Sequence, residues 1–323
     1  MVESEASAVA KGLFSDGCAS GYEAADQVSR DGTVQDGVIM LPSARSTMDE
    51  AFEHCAERAG NVGDAITVAT WNQTHGRGRA GRAWMSRPGD MLALTRAWRS
   101  SIDRAHWGWY PLIGALAVCE ALSGDEGLLA ASASAGAARG EACPGTPKTV
   151  AVKWPNDVLV EDSTPAGPVP GFGKIAGVLA EVRDGVLALG IGINMNDAPV
   201  AGSTSLARAS GLSSCAGGDQ LRAEVLTRIT SALNSNIATY ERYAGDPSRS
   251  GHLTRYGERC ITIGMEVVIV LDDHGIGVSG SEALEGRAVG IDLSGALLVE
   301  TSEGCQVITA GDVARVRPVG CER

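Results

Sequence analysis

Apolar positions along the chain switch between two spacings, and the switches mark out its elements. Val38–Leu41 is a short apolar run of strand character. Met48, Ala51, Phe52, Cys55 and Ala59 then recur every three or four residues, which predicts a helix of about three turns with one buried face. Thr47 and Glu50 stand at capping-box spacing at its start, and Asp49 and Glu50 suit the positive end of a helix dipole. Runs at 65–69 and 91–95 read as strands. Residues 105–122 are apolar almost all round, as in a helix enclosed by the core. The Ala/Gly/Ser/Pro-rich segment 123–147 has no period and reads as a surface insertion, as does 161–170. Val150–Trp154 is a strand stopped by Pro155-Asn156-Asp157. In the strand 173–182, simple alternation puts Lys174, Ala176, Val178 and Ala180 on one side. The strand 187–194 carries Gly190-Ile191-Gly192 in its middle, the mark of a bulge or of something lying flat on the backbone.

A long amphipathic helix follows over 219–243, then a linker at about 245–257. Short strands at 261–263, 266–270, 285–291, 296–300 and 306–308 are separated by Gly and Asp turns, which reads as a small β-barrel. The expected architecture is therefore α+β: a mixed β-sheet flanked by helices, then a small C-terminal barrel. We divide it into an N-terminal extension (1–36), a main domain (37–256) and the barrel domain (257–323).

Composition narrows the function. The 323 residues are 44% hydrophobic and 20% charged, as expected of a folded globular chain. The net charge of -12 argues against sequence-independent attraction to nucleic acid or anionic membrane. Eight scattered cysteines without a C-x-x-C pair predict reduced thiols in a cytosol-like compartment. The N-terminus has no secretory or organellar character, no apolar run is long enough for a membrane helix, and residues 1–36 lack the pattern of a helix-turn-helix module.

Against this acidic background, residues 76–82 place three arginines and three glycines in seven positions, between Gln73 and Trp84. Glycines admit backbone N–H groups close to a ligand, and guanidinium groups fork onto phosphate or carboxylate oxygens, so the stretch reads as an anion clamp. An arginine-glycine surface loop that holds nucleic acid is the competing reading, disfavoured by the net charge and by the cluster being single. Taken alone, Thr47 is a helix cap, Pro155-Asn156-Asp157 a plain turn and Lys174 a solvated strand lysine.

Gln73 followed by Gly-Arg-Gly-Arg-x-Gly-Arg and Trp84 resembles the signature of the biotin–protein ligases. So do Ser46-Thr47, Lys153-Trp154-Pro155-Asn156-Asp157, Lys174-x-Ala-Gly and Gly190-x-Gly192-x-Asn194, in the same order. Many members have Asn where this chain has Met48. The resemblance implies a class II aminoacyl-tRNA synthetase-like core and an SH3-like C-terminal barrel. It also implies ATP with Mg²⁺ as cofactors, biotin as substrate, biotinyl-5′-AMP as intermediate, and a biotin carboxyl carrier domain as partner; composition and residues 1–36 add the expectation of the cytoplasm, without DNA or membrane. The oligomeric state is open between monomer and homodimer.

In residue terms it implies that Ser46, Thr47, Gln73, Gly76, Arg77, Gly78, Arg79, Lys174, Gly177, Gly190 and Gly192 meet biotin. Arg77, Arg79, Arg82, Trp84, Lys153, Asn156, Lys174 and Asn194 would meet the nucleotide, with Trp84 stacked on adenine. Asn156 and Asp157 would lie near the metal, and Lys174, Arg79, Asp157 and Lys153 would carry the chemistry. Lys174 is the first candidate for neutralising charge at the reacting carboxylate and α-phosphate, and Asp157 for receiving the acceptor lysine. A lipoate or octanoate ligase of related fold is the alternative.

Overall fold

The computed structural model describes residues 33–35, 37–57, 64–124, 127–130, 148–162, 167, 169–212, 214–215, 219–270, 283–309 and 312–317. Most of the expected insertions at 123–147 and 161–170 lie outside these residues.

The elements begin with β1 (Thr33–Gln35), β2 (Val38–Leu41), α1 (Thr47–Glu57), β3 (Ala65–Thr70), β4 (Gly76–Arg77), β5 (Ala83–Trp84) and β6 (Met91–Trp98). A short 3-10 segment, Arg104–Trp109, leads into α2 (Tyr110–Leu122), followed by β7 (Val150–Lys153), β8 (Asp157–Glu161), β9 (Phe172–Arg183) and β10 (Val186–Asn194). Next come α3 (Leu206–Ala209), α4 (Asp219–Arg242) and α5 (His252–Arg259). The chain closes with β11 (Glu266–Val270), β12 (Ala283–Ile291), β13 (Leu297–Thr301), β14 (Gly304–Ile308) and β15 (Asp312–Arg317).

Eight strands form one mixed sheet in the order β1-β2-β3-β6-β10-β9-β8-β7, parallel only between β2 and β3. Its two faces differ in side-chain size. Leu92, Leu94, Val178, Leu189, Ile191 and Ile193 are buried with α2, and a side chain at Gly114 of α2 would collide with Val178 and Leu189. On the opposite face the register brings Gly190 beside Thr95, and Gly192 between Ala93 and Gly177. This small-residue floor leaves a hollow, with α1 packed beside it through Met48, Ala51, Phe52 and Cys55.

The sheet reaches back into the expected N-terminal extension, since β1 pairs with β2. Strict alternation fails in β9. The pairing with β8 slips between Val158 and Leu159, opposite Ala176 and Lys174, so the bulge carries Lys174 to the side of Gly177 and away from Ala176. The capping box is also corrected. Thr47 is already the first helical residue, Ser46 O accepts from the Asp49 and Glu50 N–H groups, and the Thr47 hydroxyl turns to Gln73 and Thr95.

The expected linker at 245–257 contains the start of α5, held by a buried polar cluster. His252 meets Ser250 through Nδ1 (2.8 Å) and Asn236 through Nε2 (3.1 Å), and burial, with Arg255 nearby, lowers its pKa to about 4. Because the unfolded chain binds this proton more readily, the contribution of His252 to stability is complete above about pH 6.5 and is lost as pH falls toward 4. Acid-unfolding curves of a His252→Gln chain are expected to be flatter than the parent's over that window; coincident curves would exclude His252 as the source.

Ile261–Ile263, expected as a strand, is a turn that docks on β7: Ile261 N–H donates to Val152 O, and Trp154 N–H to the Thr262 hydroxyl. β11 to β15 make an antiparallel sheet in the order β14-β13-β12-β11-β15, and among the described residues β14 and β15 do not pair to close the expected barrel. This sheet is bonded to the rest of the protein. Trp109 Nε1 donates to Leu293 O and Trp154 Nε1 to Gly295 O, each at 3.0 Å. Gly108 allows the approach, since a Cβ there would lie 2.3 Å from Ser294 O. No described helix is long and apolar enough to cross a membrane.

Candidate active site

Above the glycine floor lies a cavity of about 580 Å³. The arginine-glycine stretch forms its lid, anchored where Thr74 N–H donates to Ala44 O and His75 N–H to Arg45 O. Gly76 has no room for a side chain, since a Cβ would sit 2.7 Å from Trp84 O and 2.8 Å from Gln73 Nε2. Gly78 N–H donates to Arg82 O, and the turn between them passes through left-handed residues, Ala80 (φ 52°) and Gly81 (φ 71°). β4 and β5 pair, and Trp84 is laid over the floor: Cβ atoms added at Gly192 and Gly177 would meet its ring at 2.8 and 2.9 Å. The Trp84 Nε1 donor is buried without a hydrogen-bond partner, a group that a ligand acceptor could satisfy.

One wall comes from the start of α1. Gln73 Oε1 accepts from both the N–H (2.8 Å) and the hydroxyl of Thr47 (3.1 Å), and that hydroxyl also meets Thr95. Ser46 is buried beside them. The methyl of Met48 rests on Gly190, where a Cβ would meet it at 2.8 Å.

The other wall is charged. Lys174 Nζ lies 2.5 Å from Asp157 Oδ1, and Lys153 Nζ approaches Oδ2 at 3.9 Å. Lys174 also stands 5.4 Å from the centroid of the Trp84 ring, within cation–π range. Five cationic residues (Arg77, Arg79, Arg82, Lys153, Lys174) line the cavity against one carboxylate, Asp157. In a chain of net charge -12 this is a local anion site.

The candidate residues therefore converge: all but Gly76, at the base of the lid, line this one cavity. Three of them also serve the fold. The Arg77 guanidinium faces Asp49 (2.7 and 2.9 Å) and Glu181 (3.2 Å), and its hydrogen bonds hold the Asp49 carboxyl below the usual range. The Asn156 side chain donates to Val178 O, stapling β8 to β9. That of Asn194 donates to Lys174 O and Thr204 O, fixing the backbone that carries Lys174. Among the described residues no group of three His, Cys, Asp or Glu side chains could hold a metal ion, and the Asp157 carboxylate is engaged by two lysines.

Sequence reasoning missed Thr95, the loop Pro199–Ser203, and Val270 and Val313 of the C-terminal sheet, all of which reach the cavity. The Thr95–Gly190 pairing was available only from register, and the valines only from the packing of the two sheets.

Comparison with known proteins agrees with this geometry. Residues 41–196 match the Biotin/lipoate A/B protein ligase family, and residues 276–316 the Biotin protein ligase C terminal domain. The Biotin--[acetyl-CoA-carboxylase] ligase of Paracoccus denitrificans is 30% identical over 283 residues, covering 85% of this chain and 98% of that one. The protein of the same name from Mycobacterium tuberculosis is 28% identical over 255 residues, 79% of this chain and 80% of its own. Among solved structures, biotin protein ligase from Aquifex aeolicus in complex with biotin and ATP is 23% identical with a TM-score of 0.59. It covers 86% of this chain and 97% of that one, a likeness of fold.

Proposed function

This chain belongs to the biotin–protein ligase family, and on that premise we propose that it activates biotin with ATP and passes the biotinyl group to one lysine of a biotin carboxyl carrier domain. The observation that carries the reading is the cavity itself. An apolar floor of small residues lies under a lid of arginines, beside a Lys153–Asp157–Lys174 cluster.

In the first step the biotin carboxylate oxygen attacks the α-phosphorus of ATP, and pyrophosphate leaves. Both reactants are anions, so catalysis consists of holding them together and aiming positive charge at the transition state. Lys174, Lys153, Arg79 and Arg82 supply that charge. In the second step an uncharged lysine amine of the carrier attacks the acyl carbon and AMP leaves; Asp157 orients that amine or takes its proton. Thr47 and Gln73 hold the biotin ring system, with Met48 shaping its rim, and the glycines at 177, 190 and 192 take part where Trp84 and Met48 move off them. Trp84, Asn156 and Asn194 border the nucleotide. Mg²⁺ bound together with ATP would shield the charge of its phosphates.

The same reading takes residues 37–256 as a class II aminoacyl-tRNA synthetase-like catalytic domain preceded by an extension, residues 257–323 as an SH3-like domain, and the cytoplasm as the place of action. Labelled biotin incubated with MgATP and a carrier domain tests it. Carrier labelling that requires both ATP and the acceptor lysine is expected; labelling by lipoate or octanoate in place of biotin would overturn it.

A further inference from the structure

Arg77 stands at the centre of the lid between Gly76 and Gly78, yet all three of its guanidinium nitrogens are turned to carboxylates. Nη1 and Nη2 fork onto Asp49 in the first turn of α1, and Nε and Nη2 reach Glu181 near the end of β9. Arg183 closes the ring, with Nη2 at 2.8 Å from Asp49 and 2.9 Å from Glu181, and its guanidinium covers Phe52 at 4.5 Å. Two acids and two arginines thus balance one another. Glu181 follows Gly177 and Leu179 on one side of β9 by regular alternation, the side to which the bulge also brings Lys174.

Resting on the ligase reading above, we propose that Asp49 and Glu181 are positioning residues. They latch the lid through Arg77, so that the cavity keeps its acyl-adenylate from water until the acceptor amine arrives. Arg77 serves as the bolt, and the phosphate-facing charge comes from the other cations. Two features support this. The forked Arg77–Asp49 pair fixes direction as well as distance. The four side chains are between 25% and 44% exposed, so each ion pair is weak enough to break and re-form. Asp49 also lies two residues from Thr47, which holds Gln73, so one short stretch serves both the cavity wall and the lid.

The test uses the full chain as Asp49→Asn, Glu181→Gln and the double variant. Enzyme loaded with labelled biotin and MgATP, without carrier, is followed for release of biotinyl-AMP by rapid ultrafiltration. The double variant is expected to release it about ten-fold faster, with formation within about three-fold of the parent. A swapped pair, Asp49→Arg with Arg77→Asp, is expected to recover part of the retention. Parent-like release from a folded double variant, or a drop in formation that matches a rise in release, would overturn the latch. Hydrogen exchange of residues 74–84, which needs no substrate, is expected to quicken in Glu181→Gln; unchanged exchange there also overturns it. A parent that forms no adenylate would refute the ligase reading instead, leaving the exchange measurement to decide the latch.

Discussion

Replacing Lys174 by methionine is expected to slow biotin-dependent ATP–pyrophosphate exchange by about 10²–10³-fold, the range for loss of one preorganised donor at a developing charge. Methionine keeps the stem and removes only the ammonium. The effect should fall on the chemical step, because Thr47, Gln73 and the glycine floor, which form the biotin contacts in our reading, do not depend on this charge. Lys174→Arg should not rescue. The Nζ sits against Asp157 and within 3.2 Å of the Cβ position at Gly177, space that a planar fork does not fit. Exchange within about three-fold of the parent would remove Lys174 from the transition state.

The second large effect concerns Asp157. It stands between two ammonium groups, one on the 8%-exposed Lys153, so in the resting protein it bridges the lysines and offsets their mutual repulsion. In the ligase reading Asp157 serves the acceptor amine by loosening from Lys174 as that lysine turns to substrate anions. Asp157→Asn is therefore expected to slow transfer to the carrier by about 10²-fold or more, with adenylate formation reduced by no more than about ten-fold. Single-turnover measurement of the two half-reactions, starting the second from preformed biotinyl-AMP, separates them. Equal losses in both would mean that Asp157 only places the lysines.

What could be read from the sequence was whatever depended on unusual local chemistry. Arginine and glycine interleaved over 76–82 have no packing rationale, and paired glycines inside the strand at 190 and 192 announce a flat face; both lead to the cavity. What depended on register was hidden. One slip between Val158 and Leu159 decides which side of β9 Lys174 occupies, and the alternation rule, blind to bulges, assigned it to the wrong one. The carboxylate partners of Arg77 lie 28 and 104 positions away, so its ion pairs could not be read from its neighbours in sequence. Asn156 and Asn194 were similarly unreadable, since their amide groups satisfy backbone carbonyls brought near only by the fold. The stretch 245–257 looked like a linker because Gly251 and Gly257 punctuate it, but Gly251 is the left-handed residue from which α5 starts.

The C-terminal sheet has a consequence for traffic. Two indole N–H groups from the main body end on one turn of this sheet, at Leu293 and Gly295, and its Val270 and Val313 line the cavity. A module fastened at those points cannot swing aside as a door, so it acts as a fixed jamb. In the ligase reading, substrates and products are then expected to pass on the opposite side, beneath the hairpin bearing Arg77.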